Sequence, residues 1–248
     1  MRLVRVEIGS AQRYGALEGS TVALFDRSPF DGGSPWGESV PLADCRLLPP
    51  VEPTKVIAIG RNYAAHADEM GLAVGKVPSV FLKPLQTLIG HREDVVLPPR
   101  RLSTEIEHEG ELAVVIGRRA RNGRPAEANE VVFGLTCAND VSARDLQRSD
   151  PQLTRGKGFD TFCPIGPHVV TGAPIHEDLE VTCTVNGEER QRGNTRDLIF
   201  DLPTLVAHLS EWTTLMPGDV ILTGSPAGTG PAAIRPASVV PLIRGMTR

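Results

Sequence analysis

The residue types able to do chemistry gather in the stretch Glu105-Ile106-Glu107-His108-Glu109-Gly110-Glu111, which runs directly into Leu112-Ala113-Val114-Val115-Ile116-Gly117. The second half is apolar, rich in β-branched residues and closed by a glycine, the pattern of a buried strand. If that strand begins a few residues earlier, the carboxylates at 105, 107, 109 and 111 share one face, because side chains alternate with period two. Successive carboxylates then stand about 6.6–7 Å apart. Charges arranged this way repel one another and suit a hard divalent cation such as Mg²⁺, which takes oxygen ligands. A solvated acidic edge strand has the same pattern.

Further groups with chemical potential follow the same logic. His66 and Glu69 are three apart on a short helix that Asn62 would cap and Gly71 would end. A carboxylate beside an imidazole fixes its tautomer and raises its basicity, although an ordinary surface pair has the same spacing. A helix this short is marginal without tertiary support. Asp140 follows the apolar run 131–138, and Arg144 and Gln147 fall four and seven residues on, on one helical face. An acid, a fixed cation and an amide at a strand end suit a metal and an anionic ligand, and equally an N-capped helix with an Asp–Arg pair. Lys157 stands between Gly156 and Gly158, where little bulk shields it; a solvated turn lysine reads identically. The small-residue loop Thr223-Gly224-Ser225-Pro226-Ala227-Gly228-Thr229-Gly230 offers amides and hydroxyls to an anion. It lacks the ending of a P-loop and the dinucleotide fingerprint.

The elements that must position these residues are short and mostly strands. Residues 3–8, 14–17 and 21–25 read as strands, and 26–38 as a Gly/Pro/Ser-rich loop. Pro49, Pro50 and Pro53 mark a boundary, so residues 1–50 are expected to form a small β-rich appendage and 51–248 the main domain. Strands are expected at 55–60, 80–83 and 220–222, a hairpin across Asn186-Gly187, and a helix over 201–213. With a net charge of −4 and no basic patch with interleaved aromatics, nothing attracts a polyanion, and no nucleic-acid partner is expected. None of the four cysteines forms a C-x-x-C pair, as expected of buried thiols in a reducing compartment. There is no signal-like apolar region and no apolar run approaching 18 residues, so a cytosolic protein with no membrane partner is expected.

In order, these motifs resemble the fumarylacetoacetate hydrolase family. The matching pieces are Gly60-Arg61-Asn62-Tyr63 with His66 and Glu69, then Glu109-Gly110-Glu111-Leu112, then Asn139-Asp140 with Arg144 and Gln147. They continue with Lys157-Gly158-Phe159-Asp160-Thr161, Pro164-Ile165-Gly166-Pro167, Val185-Asn186-Gly187-Glu188, and Pro217-Gly218-Asp219 through Ser225. The resemblance implies an α+β, mostly β, mixed β-roll, working as a homodimer. It implies Mg²⁺, or Mn²⁺ or Ca²⁺ in its place, on Glu109, Glu111 and Asp140. His66 with Glu69 would be an acid–base pair on a lid, Lys157 would add positive charge, and Arg61, Arg144, Gln147 and Ser225 would hold oxygens of a keto or enol acid. The implied reaction is hydrolysis of a C–C bond in an acylpyruvate-type β-diketo acid. Isomerisation of a 2-hydroxy-dienedioate, decarboxylation of a β-keto acid, and non-catalytic keto-acid binding are the alternatives. Two departures stand out. His108 occupies a position where an aromatic residue is common, and the segment after Gly230, with Pro236 and Pro241, argues against the roll's usual closing strand.

Overall fold

The structure, a computed structural model, describes residues 1–71, 73, 75–173, 175 and 178–229, and the backbone of a strand at 239–244. The N-terminal segment is an antiparallel meander of β1 (Arg2–Ile8), β2 (Ala11–Glu18), β3 (Thr21–Phe25) and β4 (Pro35–Pro41). The fourth strand lies partly in the stretch expected to be loop. Among the described residues it pairs only with β3, and it is almost wholly exposed, an edge position where prolines at the strand ends remove no interior ladder bond.

The rest of the chain supplies β5 (Val56–Gly60), α1 (Ala64–Glu69), β6 (Ser79–Lys83), β7 (Gly110–Ile116), β8 (Val132–Asn139), α2 (Arg144–Ser149) and α3 (Thr154–Lys157). Then follow β9 (Cys163–Thr171), β10 (Glu180–Val185), β11 (Glu188–Asn194), α4 (Leu202–Trp212), β12 (Val220–Leu222) and β13 (Val239–Arg244), with shorter pieces between. One long mixed sheet runs in the order β4-β3-β2-β1-β9-β8-β7-β12-β5-β6. Its neighbours are antiparallel except β12 and β5, which are parallel. The fold is thus α+β and mostly strand. Among the described residues no helix is long and apolar enough to cross a membrane.

The sheet is apolar on both faces, which is why its central strands read as continuous apolar runs rather than alternating ones. On one face Ile57, Ile59, Leu112, Val114, Ile116 and Ile221 join the core under α4. On the other, Val56, Ala58, Ala113, Val115, Val220 and Leu222 pack with Leu3, Ala16 and Phe25 of the N-terminal meander. Helix α4 begins at Asp201, whose carboxylate accepts the Thr204 N–H at 2.9 Å, and Pro203 occupies its first turn. Its Leu202, Leu205, Val206 and Leu209 are buried at helical spacing; each such side chain contributes roughly 1.5–3 kcal/mol by leaving water.

The expectation about the closing strand is overturned. Residues 239–244 pair antiparallel with β10 along its whole length, Pro241 opposite Cys183. The small sheet runs β11-β10-β13, so among the described residues this strand has one partner, and an edge tolerates the missing proline N–H. Pro236 lies outside the described residues.

Candidate metal centre

Antiparallel pairing of β7 with β8 sets Gly110 opposite Asn139 and Glu111 opposite Ala138. One step beyond, the Asp140 N–H donates to the Glu109 carbonyl at 2.8 Å, and the Asn139 side-chain oxygen accepts the Glu109 N–H at 2.9 Å. Glu109 is thereby held across from Asp140, and Glu111, two residues on, projects to the same side. One oxygen from each of Glu109, Glu111 and Asp140 lies within 4.8 Å of the other two. The three residues are 5%, 2% and 1% exposed.

Of the four carboxylates expected on one face, only two reach this point. The strand is broken at 108–109: Ile106–Glu107 pairs with Ser142–Ala143 instead, and β7 starts at Gly110. Glu107 turns to Arg144 Nε at 2.6 Å, and Glu105 to Arg148 on the surface. Asp140, from the adjacent strand, completes the trio.

Cations surround it. Arg144 Nη2 lies 2.5 Å from Glu109 Oε1, and Lys83 Nζ lies 2.5 Å from Asp140 Oδ1. Lys157 Nζ lies 2.6 Å from Glu109 Oε2 and 2.5 Å from Asp140 Oδ2. Burial alone would raise the Glu109 carboxyl, but Arg144 and Lys157 outweigh it and hold the group well below the usual carboxylate range. Glu111 goes the other way: burial first, then Asp140 and Glu109, push its pKa well up. Burial would lower the Lys157 pKa, but Asp140 and Glu109 raise it. The donor set fits a hard divalent ion. It is all oxygen, it is buried, the ionised form of one member is opposed by its like-charged neighbours, and a cationic ammonium already rests on two of its oxygens.

His66 Nδ1 stands 3.1 Å from Glu69 Oε2, with the imidazole buried. An ionised carboxylate can only accept, so this contact favours the tautomer with its hydrogen on Nδ1 and its lone pair on Nε2. Glu69 is tied in turn to the small-residue loop, accepting the Gly228 N–H at 3.1 Å. Asn62 does not cap α1; that place is Tyr63. Its fully buried amide instead donates to the Phe200 and Thr223 carbonyls at 3.0 and 2.8 Å and accepts the Phe200 N–H at 2.8 Å. The segment carrying His66 is thus stitched to the loop after β12.

The remaining expected residues are placed as follows. Arg144 is 1% exposed and bonded to Glu107, Gln147, Thr229 and Glu109, and Gln147 accepts from it at 2.6 Å. Ser225 accepts from Gln191 Nε2 at 2.6 Å and donates to the Gly110 carbonyl at 3.2 Å. Arg61 sits at φ +57° just before α1, its guanidinium 3.5 Å from the Ala73 carbonyl. The anions met by the small-residue loop are the protein's own carboxylates: the Gly224 N–H donates to Glu111 Oε2 at 2.7 Å, and the Gly228 N–H to Glu69. Gly230 lies outside the described residues. Sequence reasoning missed Lys83 and Gln191. Lys83 carried one faint signal, a charge inside the apolar Val80-Phe81-Leu82 run. Gln191 carried none; it holds the Gly110 N–H at 2.8 Å from β11. His108, nearly fully buried, has no partner for either ring nitrogen among the described residues, and burial pushes its pKa down.

Residues 55–244 match the family description "Fumarylacetoacetate (FAA) hydrolase C-terminal". The chain belongs to the fumarylacetoacetate hydrolase family. Residues 1–50 match a separate description, "Rv2993c-like, N-terminal". Protein Rv2993c of Mycobacterium tuberculosis is 42% identical over 240 residues, covering 93% of this chain and 90% of that protein. The solved structure of a 5-carboxymethyl-2-hydroxymuconate delta-isomerase from Mycobacterium smegmatis is similar with TM-score 0.89 and 41% identity, covering 99% and 96% of the two chains. A maleylpyruvate hydrolase from Sphingobium, solved with manganese (II) ion and pyruvate, is similar with TM-score 0.78 and 32% identity, covering 98% and 95%. The family contains both hydrolases and isomerases, and the acidic trio lies inside the matched region.

Proposed function

We propose that this protein is a cytosolic, Mg²⁺-dependent hydrolase that cleaves the C–C bond of acylpyruvate-type β-diketo acids. The observation that carries the proposal is the buried trio Glu109, Glu111 and Asp140, with converging oxygens and with the His66–Glu69 pair on a neighbouring helix. Support also comes from the related maleylpyruvate hydrolase, whose solved structure contains manganese and pyruvate. When bound on the trio, the ion would supply Lewis-acid polarisation of the keto acid's oxygens and offset enolate charge. His66 Nε2 takes a proton from water, which attacks the distal acyl carbonyl; Glu69 stabilises the imidazolium that forms. The C–C bond then breaks, its electron pair passing into the enolate of the pyruvate fragment. His66 returns the proton to carbon, giving a carboxylic acid and pyruvate. The Lys157 ammonium adds positive charge where the enolate develops. Arg61, Arg144, Gln147 and Ser225 are assigned to the substrate's oxygens, and the acting species to a homodimer.

The test is incubation with Mg²⁺ and a panel of acylpyruvates, oxaloacetate and dienedioates, with products identified by NMR. Two fragments from an acylpyruvate, lost in Glu109→Ala, support the proposal; unchanged turnover in that variant contradicts it. A second reading is isomerisation, favoured by the delta-isomerase that matches 99% of the chain at 41% identity. It uses the same base to move a proton without water attack, and a single product of unchanged mass would establish it. Release of CO₂ would mark decarboxylation, and tight binding without turnover a keto-acid-binding protein.

A further inference from the structure

We propose that Lys83 sets which ion the trio accepts, by leaving Asp140 one free oxygen. The proposal rests on the reading above that Glu109, Glu111 and Asp140 hold a divalent ion, and it goes further by naming what discriminates among ions. Each carboxylate has one oxygen tied to a fixed donor. Arg144 takes Glu109 Oε1, the Gly224 N–H takes Glu111 Oε2, and Lys83 takes Asp140 Oδ1. The oxygens left are Glu109 Oε2, Asp140 Oδ2 and Glu111 Oε1. Lys157 Nζ rests on the first two, marking them as the ones turned toward a cation. Glu111 Oε1 meets no donor among the described residues.

Lys83 is well built for this. It closes β6 opposite Val56 in the sheet, its side chain is 0% exposed, and its ammonium donates a second bond, 2.6 Å long, to the Lys157 carbonyl. Held between two acceptors, the ammonium cannot follow an incoming ion, and Asp140 cannot turn both oxygens to it without stranding a buried charge. Ca²⁺ gathers about six to eight oxygens and readily takes both from one carboxylate, whereas Mg²⁺ is content with about six, several of them water. Three singly available oxygens therefore favour Mg²⁺ and Mn²⁺ over Ca²⁺. Lys83 acts through Asp140 and is a positioning residue.

The experiment is calorimetric titration of chelator-stripped wild type and Lys83→Met with Mg²⁺, Mn²⁺ and Ca²⁺. The wild type is expected to prefer Mg²⁺ and Mn²⁺, and Lys83→Met to narrow the Mg²⁺-over-Ca²⁺ ratio roughly tenfold or more, the scale on which partners of metal ligands act. A parallel loss for all three ions, with the ratio unchanged, would mean a structural role alone and overturn the proposal. A wild type that binds no divalent ion overturns the reading of the trio itself, a distinguishable result. Should Lys83→Met not fold, a crystal structure of the wild type with Mn²⁺ decides. Ligation through Oδ2 alone, with Oδ1 still on Lys83, supports the proposal, and both oxygens on the ion overturn it.

Discussion

Replacing Lys157 by methionine should make the metal-free protein less stable and its metal site tighter. The ammonium bridges Glu109 and Asp140 at 2.6 and 2.5 Å, and the three residues are 3%, 5% and 1% exposed. Removing one member of a buried ionic network strands the others and costs about 3–5 kcal/mol. In a chain of 248 residues, each kcal/mol moves Tm by roughly 2–4 °C, so a fall of about 6–20 °C is expected. A divalent ion restores the missing charge at the same two oxygens. Its affinity should rise because it no longer competes with the ammonium, and saturating Mg²⁺ should close most of the gap in Tm. Both quantities come from thermal unfolding of stripped protein with and without Mg²⁺, paired with calorimetry. An unchanged metal-free Tm, or Mg²⁺ binding weaker in Lys157→Met than in wild type, would refute the reasoning, because either result means the ammonium does not stand on the ligand oxygens.

Three further outcomes are expected. Since burial, Asp140 and Glu109 raise the Glu111 pKa, metal binding should expel a proton; titration in buffers of different ionisation enthalpy will show it, and Glu111→Gln should abolish it. In the metal-free protein the same group stabilises at low pH, and that contribution is lost as pH rises through its raised pKa; the depressed Glu109 has the opposite sign and loses its contribution as pH falls. Replacing Glu111 by glutamine should flatten the upper limb of the stability–pH curve measured by denaturant. Asn62→Ala removes the three hydrogen bonds of a buried amide, and at about 1 kcal/mol each it should cost roughly 3 kcal/mol; a loss under about 1 kcal/mol in urea unfolding would show that the amide does not carry the join.

The acidic trio was half legible from its spacing. Period two puts Glu109 and Glu111 on one side, but it also put Glu105 and Glu107 there, because nothing in the sequence marks the break at 108–109 that gives Glu107 to Arg144. Asp140 was visible as an acid at a strand end, though its approach depends on the register of β7 against β8, a pairing between segments far apart in the chain. Lys83, 57 positions before Asp140, could not be tied to it by any local pattern. Asn62 had the residue type and place of a helix cap, and the tertiary demand of the Phe200 and Thr223 backbone claimed it first. The sequence shows the loop after β12 to be rich in amides that could meet an anion; in the structure two of them, at Gly224 and Gly228, meet the protein's own Glu111 and Glu69. Proline at 241 argued against a central strand, and the observed strand escapes that argument by having one neighbour.

β1 lies against β9, with Leu3 opposite Val169, and the meander's Leu3, Ala16 and Phe25 share a core with Val115 and Leu222. A chain shortened by its first fifty residues would therefore bare a sticky rim on β9 and a greasy hollow beside it. Such a rim offers unclaimed amides and carbonyls to any extended segment that passes. The truncated protein should clump rather than work, and the meander serves its neighbour as a splint.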